Sequence, residues 1–388
     1  MTTSFTKQTG FDYSASIKPT LIKEQLPNYI PFIQNKDFLG HHINYKTDYF
    51  IPNEIAIRFP QILLNEKCLL ISISGAIGNV AVFNHSQDAF IGGAIAVLKF
   101  KEKKSLDFVM HFLMSASGQK SLLNSVKSSS HKNLTIADLR DLLIPLPPLN
   151  EQIAIANILS DVDRYLYSLD ALILKKESVK KALSFELLSQ RKRLKGFNQA
   201  WQKVRLGDIG KPCMCKRVMK HQTTPYGEIP FYKIGTFGNT ADAFISKKLF
   251  LEYKTKYSFP KKGDILISAS GTIGRAVIYD GKPAYFQDSN IVWIDNDETL
   301  VKNDFLFYAY SNIKWNTEHT TILRLYNDNF RNTLIPLPPL NEQIAIANIL
   351  NALDNEIISL KNKKRQFENI KKALNHDLMS AKIRVLNK

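Results

Sequence analysis

The stretch IPLPPLNEQIAIANIL occurs at residues 144–159 and again, unchanged, at 335–350. A repeat distance near 190 residues is far outside the roughly 20–50-residue periods of solenoids, so the chain reads as a tandem duplication of a whole domain-plus-helix unit. The match runs past the identical copies. DVDRYLYSLDALILKKESVKKALSFELLSQ (161–190) falls on ALDNEIISLKNKKRQFENIKKALNHDLMSA (352–381), which places Asp163 on Asp354. CLLISISGAIGNVAVF (68–83) falls on DILISASGTIGRAVIY (264–279), and IPF at 30–32 on IPF at 229–231.

Each unit has the same internal order. A mixed region of about 140 residues carries short β-rich runs (CLLISIS, GGAIAVLKF, DILISAS, NIVWI) punctuated by Gly, Pro, Asn and Asp, with helical stretches such as 105–117. A proline-rich stop and a long helix follow. The prolines of LPPLNEQ hold an extended entry, and Asn150 and Asn341 are expected as N-caps, with Glu151 and Glu342 near the positive end of the helix dipole. Leu159, Val162, Leu166, Leu169, Ile173, Leu183 and Leu187 form a 3-4 stripe on the first helix. Leu350, Leu353, Ile357, Leu360, Phe367, Leu374 and Leu378 form its match on the second.

The expected fold is therefore α+β: two mixed α/β domains, 1–143 and 196–334, alternating with two long-helix regions, 144–195 and 335–388. The helices are expected to pair as an antiparallel coiled coil, giving an internal pseudo-twofold with the globular regions at opposite ends of a rod. At about 1.5 Å per residue such a spacer is roughly 50 Å long, about 15 base pairs of duplex.

The formal charge of +17 over 388 residues favours a polyanionic partner, with DNA or RNA first. Three cysteines, Cys68, Cys213 and Cys215, are too few for a disulfide framework and suggest a reducing, cytoplasmic setting. No run approaches the roughly 18 apolar residues of a membrane span, so no membrane partner is expected.

The repeated PLPPLNEQIAIANIL with its long basic helix, GDILISASGTIG (263–274) with its partner LLISISGAIG (69–78), and WQKVRLGDIG (201–210) together resemble the specificity subunits of Type I restriction-modification enzymes. The resemblance covers nearly the whole chain, although the first unit has no counterpart of WQKVRLGDIG, which leaves the start of its domain open. It implies two target recognition domains, each reading one half of a split double-stranded DNA site. It also implies conserved helices that dock two methyltransferase subunits and, through them, restriction subunits. A subunit of this kind has no active site of its own, and S-adenosylmethionine, ATP and Mg²⁺ would belong to its partners.

The search for chemistry leaves weaker alternatives. The chain has no GxxxxGK[ST] and no [DN]PP[YF]. Cys213-Met214-Cys215 with His221 could hold a metal, but a spaced second pair is missing. Asp264, Asp280 and Lys282 suggest a nuclease-like triad, against Cys68, Asn84 and Ser86 in the first unit. A self-sufficient nuclease or methyltransferase, an adaptor without DNA, and a specificity subunit of a related two-subunit system thus stay open.

For DNA contact the candidates are Lys, Arg, Asn and Ser on strand ends and loops. In the first unit they are Ser72, Ser74 and Asn79 of SISGAIGN, and Lys127, Ser128, Ser129, His131, Lys132 and Asn133 of KSSSHKN. In the second they are Ser268, Ser270 and Arg275, then Thr320, Arg324 and Asn327, then Lys211, Arg217, Lys220 and His221.

Overall fold

The computed structural model describes residues 2–7, 13–124, 133–315, 318–319, 323–325, 327–380 and 382–385. These gather into two compact units: Met1–Asp170 with Asn362–Lys388, and Ala171–Lys361. Each unit thus owns one globular region and half of each long helix, Leu149–Leu188 and Leu340–Met379.

In the first unit the apolar runs become strands because β-branched and aromatic residues suit a half-buried pleat. Strands β1 (Thr2–Lys7), β4 (Cys68–Ser72), β5 (Val80–Phe83) and β7 (Ile95–Phe100) form an antiparallel sheet in the order β1-β7-β4-β5. A smaller sheet has the order β3-β2-β6, from β2 (Tyr29–Ile33), β3 (Phe50–Pro52) and β6 (Phe90–Ile91), with β2 and β6 parallel. Every residue of β4 is buried, because its two faces serve two cores. Leu69 and Ile71 pack under helix α1 (Leu106–Met114), while Cys68 and Leu70 join Phe32 and Phe90. Helix α2 (Ile136–Arg140) precedes the first long helix.

The second unit repeats this plan. Its main sheet runs β9 (Gly210–Met214), β15 (Ile291–Asn296), β12 (Ile265–Ser268), β13 (Ala276–Ile278), and its smaller sheet β11 (Phe244–Ile245), β10 (Ile229–Tyr232), β14 (Tyr285–Phe286), with β10 and β14 parallel. The registers agree to the residue: Ser72 faces Ile95, and Ser268 faces Ile291. Helices α4 (Asn303–Ala309) and α5 (Asn327–Asn332) correspond to α1 and α2.

One element has no counterpart among the described residues of the first unit. Strand β8 (Gln202–Arg205) pairs antiparallel with β16 (Leu334–Leu337), and a single turn, α3 (Leu206–Ile209), follows it.

The helix halves run antiparallel within each unit. In the first, Asp163 meets Lys371 and Asp170 meets Lys364, so one helix advances seven residues while the other retreats seven. In the second, Lys180 meets Asp354 and Lys176 meets Glu356. Lys180–Asp354 is the duplicate of Lys371–Asp163, and Lys176–Glu356 takes the place of Phe367–Tyr165, whose rings meet at a tilt of 54° with centroids 4.6 Å apart. Leu159, Leu169, Ile173, Leu187, Leu350, Ile357 and Leu378 of the expected stripe are buried.

The helix starts differ from the expected asparagine caps. Both helices begin one residue earlier, and the carbonyls of Pro148 and Pro339 accept the first amides, those of Glu151 and Gln152 and of Glu342 and Gln343. The glutamines secure the entry: Gln152 Nε2 donates to Pro147 O (2.7 Å) and Gln343 Nε2 to Pro338 O (2.9 Å). In the first helix Asn150 Oδ1 also accepts from Glu151 N at 3.0 Å, so its side chain shares an amide that the Pro148 carbonyl already takes.

Candidate nucleic-acid interface

The two SGxIG turns are one structure built twice. Ser72 Oγ donates to Ala76 O and accepts from Asn79 N at 2.9 Å; Ser268 Oγ donates to Thr272 O and accepts from Arg275 N at 2.9 Å. Both serines are buried, 0% and 2% exposed, so their hydroxyls close the loop and are not offered outward. This corrects the expectation of base contact at Ser72 and Ser268, since a hydroxyl bonded on both sides in the interior has nothing left to read with. Ser270 is likewise buried, its hydroxyl donating to Asn290 Oδ1 at 2.7 Å.

Glycine is required at the turn's last bend. Gly78 and Gly274 have φ of +89° and +83°, and a Cβ on Gly274 would stand 2.1 Å from Trp315 Nε1. The turn thereby presents its following residue, Asn79 or Arg275, and both side chains are exposed. The same scaffold carries a different hydrogen-bonding group in each unit. Arg275 also donates to Phe237 O (2.9 Å), which steadies the guanidinium.

A second segment is tied to each turn. Leu134 N donates to Ile73 O, and Leu325 N donates to Ala269 O, each at 2.9 Å. The structure thereby brings Asn133, bridged to Ser74, and Arg324 to the two turns. Asn327 is exposed at the start of α5. Lys127, Ser128, Ser129, His131, Lys132 and Thr320 lie outside the described residues.

The basic segment 211–221 is only partly gathered in. Arg217 donates to Asp288 (2.8 Å), two residues before the Asn290 that holds Ser270. Lys211 sits opposite Asp295, toward the other end of β9, and Lys220 and His221 are exposed in the turn 220–222. Residues that the sequence reading missed reach the first turn from elsewhere: Asn35 Nδ2 donates to Ser74 O (2.6 Å) and Gln119 Nε2 to Gly78 O (2.8 Å). No local motif marks such long-range contacts. The duplication offered the one usable signal, because each reaches a duplicated turn.

The nuclease-like residues have structural duties. Asp264 is buried and accepts Lys261 N at 2.7 Å, and desolvation raises its pKa. Asp280 accepts Lys282 N (2.9 Å) in an exposed turn, a bond that lowers its pKa. Cys215 is buried, which pushes its thiol up to about 12, while His221 is exposed. Among the described residues no three His, Cys, Asp or Glu side chains are grouped as a metal site, and no helix is long and apolar enough to cross a membrane.

Where the globular regions meet the helices, a carboxylate is gripped in each unit. Asp354 accepts from Tyr308 Oη (2.7 Å) and Lys180. Asp163, 6% exposed, pairs with Lys371 and lies 4.0 Å from His111 Nδ1 and 3.7 Å from His41 Nε2. Burial holds His111 neutral, lowering its pKa to about 4, and lowers that of His41 as well, so these histidines are uncharged neighbours at neutral pH.

Comparison with known proteins agrees with this duplicated plan. The model of the Type I restriction modification DNA specificity domain matches residues 16–176 and again 198–369. A Haemophilus influenzae protein assigned as a type I restriction enzyme specificity subunit is 43% identical over 293 residues, covering 73% of this chain and 71% of its own. The Methanocaldococcus jannaschii type I restriction enzyme MjaVIII specificity subunit is 26% identical over 409 residues, covering 97% and 91%. The crystal structure of the Type-I restriction-modification system S subunit from M. genitalium superposes with a TM-score of 0.57 at 18% identity, over 97% of this chain and 96% of that one, a likeness of fold. The chain belongs to the Type I restriction modification DNA specificity domain family.

Proposed function

We propose that this chain is the DNA sequence-recognition subunit of a Type I restriction-modification complex, with each unit reading one half of a bipartite double-stranded site. The observation that carries this reading is the pair of superimposable turns ending in Asn79 and Arg275. Asn suits adenine and Arg suits guanine, so one scaffold with different tips is what two different half-sites require. The net charge of +17 supports phosphate contact around them. Ser72 and Ser268 hold the turns, Asn133 is bridged to the first of them, and Arg217 and Asn327 are further exposed polar groups of the second unit.

The long helices carry exposed apolar residues, among them Leu174, Val179, Phe185, Ile358 and Ile370, which suits them to dock two methyltransferase subunits and, through those, restriction subunits. Chemistry would reside in the partners, which would hold S-adenosylmethionine, ATP and Mg²⁺, and the complex would act in the cytoplasm. To test this, the chain is mixed with its methyltransferase subunit and titrated with duplexes carrying both half-sites, one, or neither. Tight binding to the complete site alone, weakening with salt at a slope of about −0.9 per phosphate contacted, is the expected outcome. Sequence-independent binding, or DNA cleavage or methylation by the chain alone, would refute it.

A further inference from the structure

One loop carries different chemistry in the two units. In the first, Gly92, Gly93 and Ala94 join β6 to β7; in the second, Gln287, Asp288, Ser289 and Asn290 join β14 to β15. Both loops lie against the SGxIG turns: Ile73 N donates to Ala94 O at 2.8 Å, and Ala269 N to Asn290 O at 2.7 Å. Gly-Gly-Ala offers no hydrogen-bonding side chain there. The second unit supplies four polar side chains at the same place.

The longer loop is tightly built. Asn290 N donates to Asp288 O at 2.6 Å across Ser289, whose φ is +60°. Such a turn is strained for a residue with a side chain and persists only where the surroundings hold it. The Asn290 side chain accepts from Ser270 (2.7 Å), which stitches the loop to the turn that presents Arg275. The Asp288 side chain, 14% exposed, accepts from Arg217 Nε at 2.8 Å, while the Arg217 side chain is 66% exposed. An ion pair this exposed adds little stability. Its consequence is geometric: the carboxylate takes the Nε–H, and both terminal amino groups of Arg217 stay without a partner among the described residues. Those two groups form the fork that matches guanine O6 and N7.

We propose that Arg217 is a second guanine-reading residue of the second unit, beside Arg275, and that Asp288 is the positioning residue that aims it; this rests on the reading of the chain as a DNA-recognition subunit. The other duty open to an exposed arginine is phosphate contact. The bond to Asp288 disfavours it, because a carboxylate at the guanidinium offsets its attraction for a phosphate, whereas a neutral base edge needs only directed donors. The second half-site therefore contains two guanines, each read by its own arginine.

The test uses the full chain with its methyltransferase subunit, bound to a complete-site duplex and to duplexes altered one base pair at a time. Arg217→Ala should erase a preference of about tenfold or more at one G·C pair of the second half-site, distinct from the pair that Arg275→Ala relaxes. Asp288→Ala should relax the same pair as Arg217→Ala and add nothing to it in the double variant. Asp288→Asn, which keeps an acceptor for the Nε–H, should retain most of the preference. Equal weakening of Arg217→Ala on every duplex, with a shallower salt dependence, would make Arg217 a phosphate contact and overturn the proposal. Full discrimination by Asp288→Ala would overturn it too. Both results leave recognition by the unsubstituted complex intact, whereas an unsubstituted complex blind to every base change would sink the recognition reading and this proposal together.

Discussion

Glu151 and Glu342 occupy the same position of the same sixteen-residue sequence, and the structure assigns them very different energetic roles. Glu342 is 1% exposed and accepts three hydrogen bonds, two from the Arg193 guanidinium and one from the Trp201 indole. Removing one partner of a buried, hydrogen-bonded ion pair costs about 3–5 kcal/mol, because the desolvated remainder stays unpaired. Glu151 is half-buried, and its side chain lacks a partner among the described residues, so Glu151→Ala loses little beyond its interaction with the helix dipole, about 0.3–1 kcal/mol. Glu342→Ala should therefore exceed Glu151→Ala by roughly 3 kcal/mol. The two units need not unfold together, so a single denaturation midpoint is a poor reporter. Hydrogen exchange followed peptide by peptide reads each unit separately. The expected result is faster exchange in 196–210 and 334–350 for Glu342→Ala, with a much smaller effect around 141–159 for Glu151→Ala. Equal costs at the two positions would refute the reasoning, since local sequence would then outweigh tertiary surroundings.

Three further predictions concern other parts of the fold. His111, 1% exposed, has its pKa lowered to about 4 by burial against an ordinary value of 6.5, so the unfolded chain binds more protons between these values. Stability should fall as pH drops through that window by up to about 3 kcal/mol, and His111→Gln should flatten the dependence, as measured by urea unfolding at several pH values. Gly274→Ala should destabilise the second unit by about 2 kcal/mol or more, since its Cβ would collide with Trp315 at a φ of +83°; unchanged thermal unfolding would contradict this. Ser72→Ala and Ser268→Ala should each cost about 1–3 kcal/mol, whereas Asn79→Ala and Arg275→Ala should change stability by less than about 0.5 kcal/mol while altering DNA selection.

The duplication was legible because identical runs are visible without any knowledge of folding, and the apolar periods located both long helices and the central strands of each sheet. The paired carboxylates, too, were aligned by Asp163 falling on Asp354. The environment of a segment could not be read in this way: Leu143–Leu146 and Leu334–Leu337 share their letters, yet β8 covers the second and, among the described residues, no strand pairs with the first. Polar candidates divided for a related reason. A serine in SGxIG reads as a donor in either orientation, and only the bonds from Ser72 to Ala76 and from Asn79 to Ser72 reveal that it closes the loop. Asn35, Gln119 and Trp315 come to the turns from at least 39 residues away, beyond the reach of local pattern.

The most direct test of two readers in one chain is selection of bound sequences from a random duplex pool by the chain with its methyltransferase subunit, repeated with Arg275→Ala. Two short specified blocks separated by a fixed unspecified gap are predicted, with the substitution relaxing positions in one block alone. A single uninterrupted motif, or relaxation of both blocks together, would contradict the account.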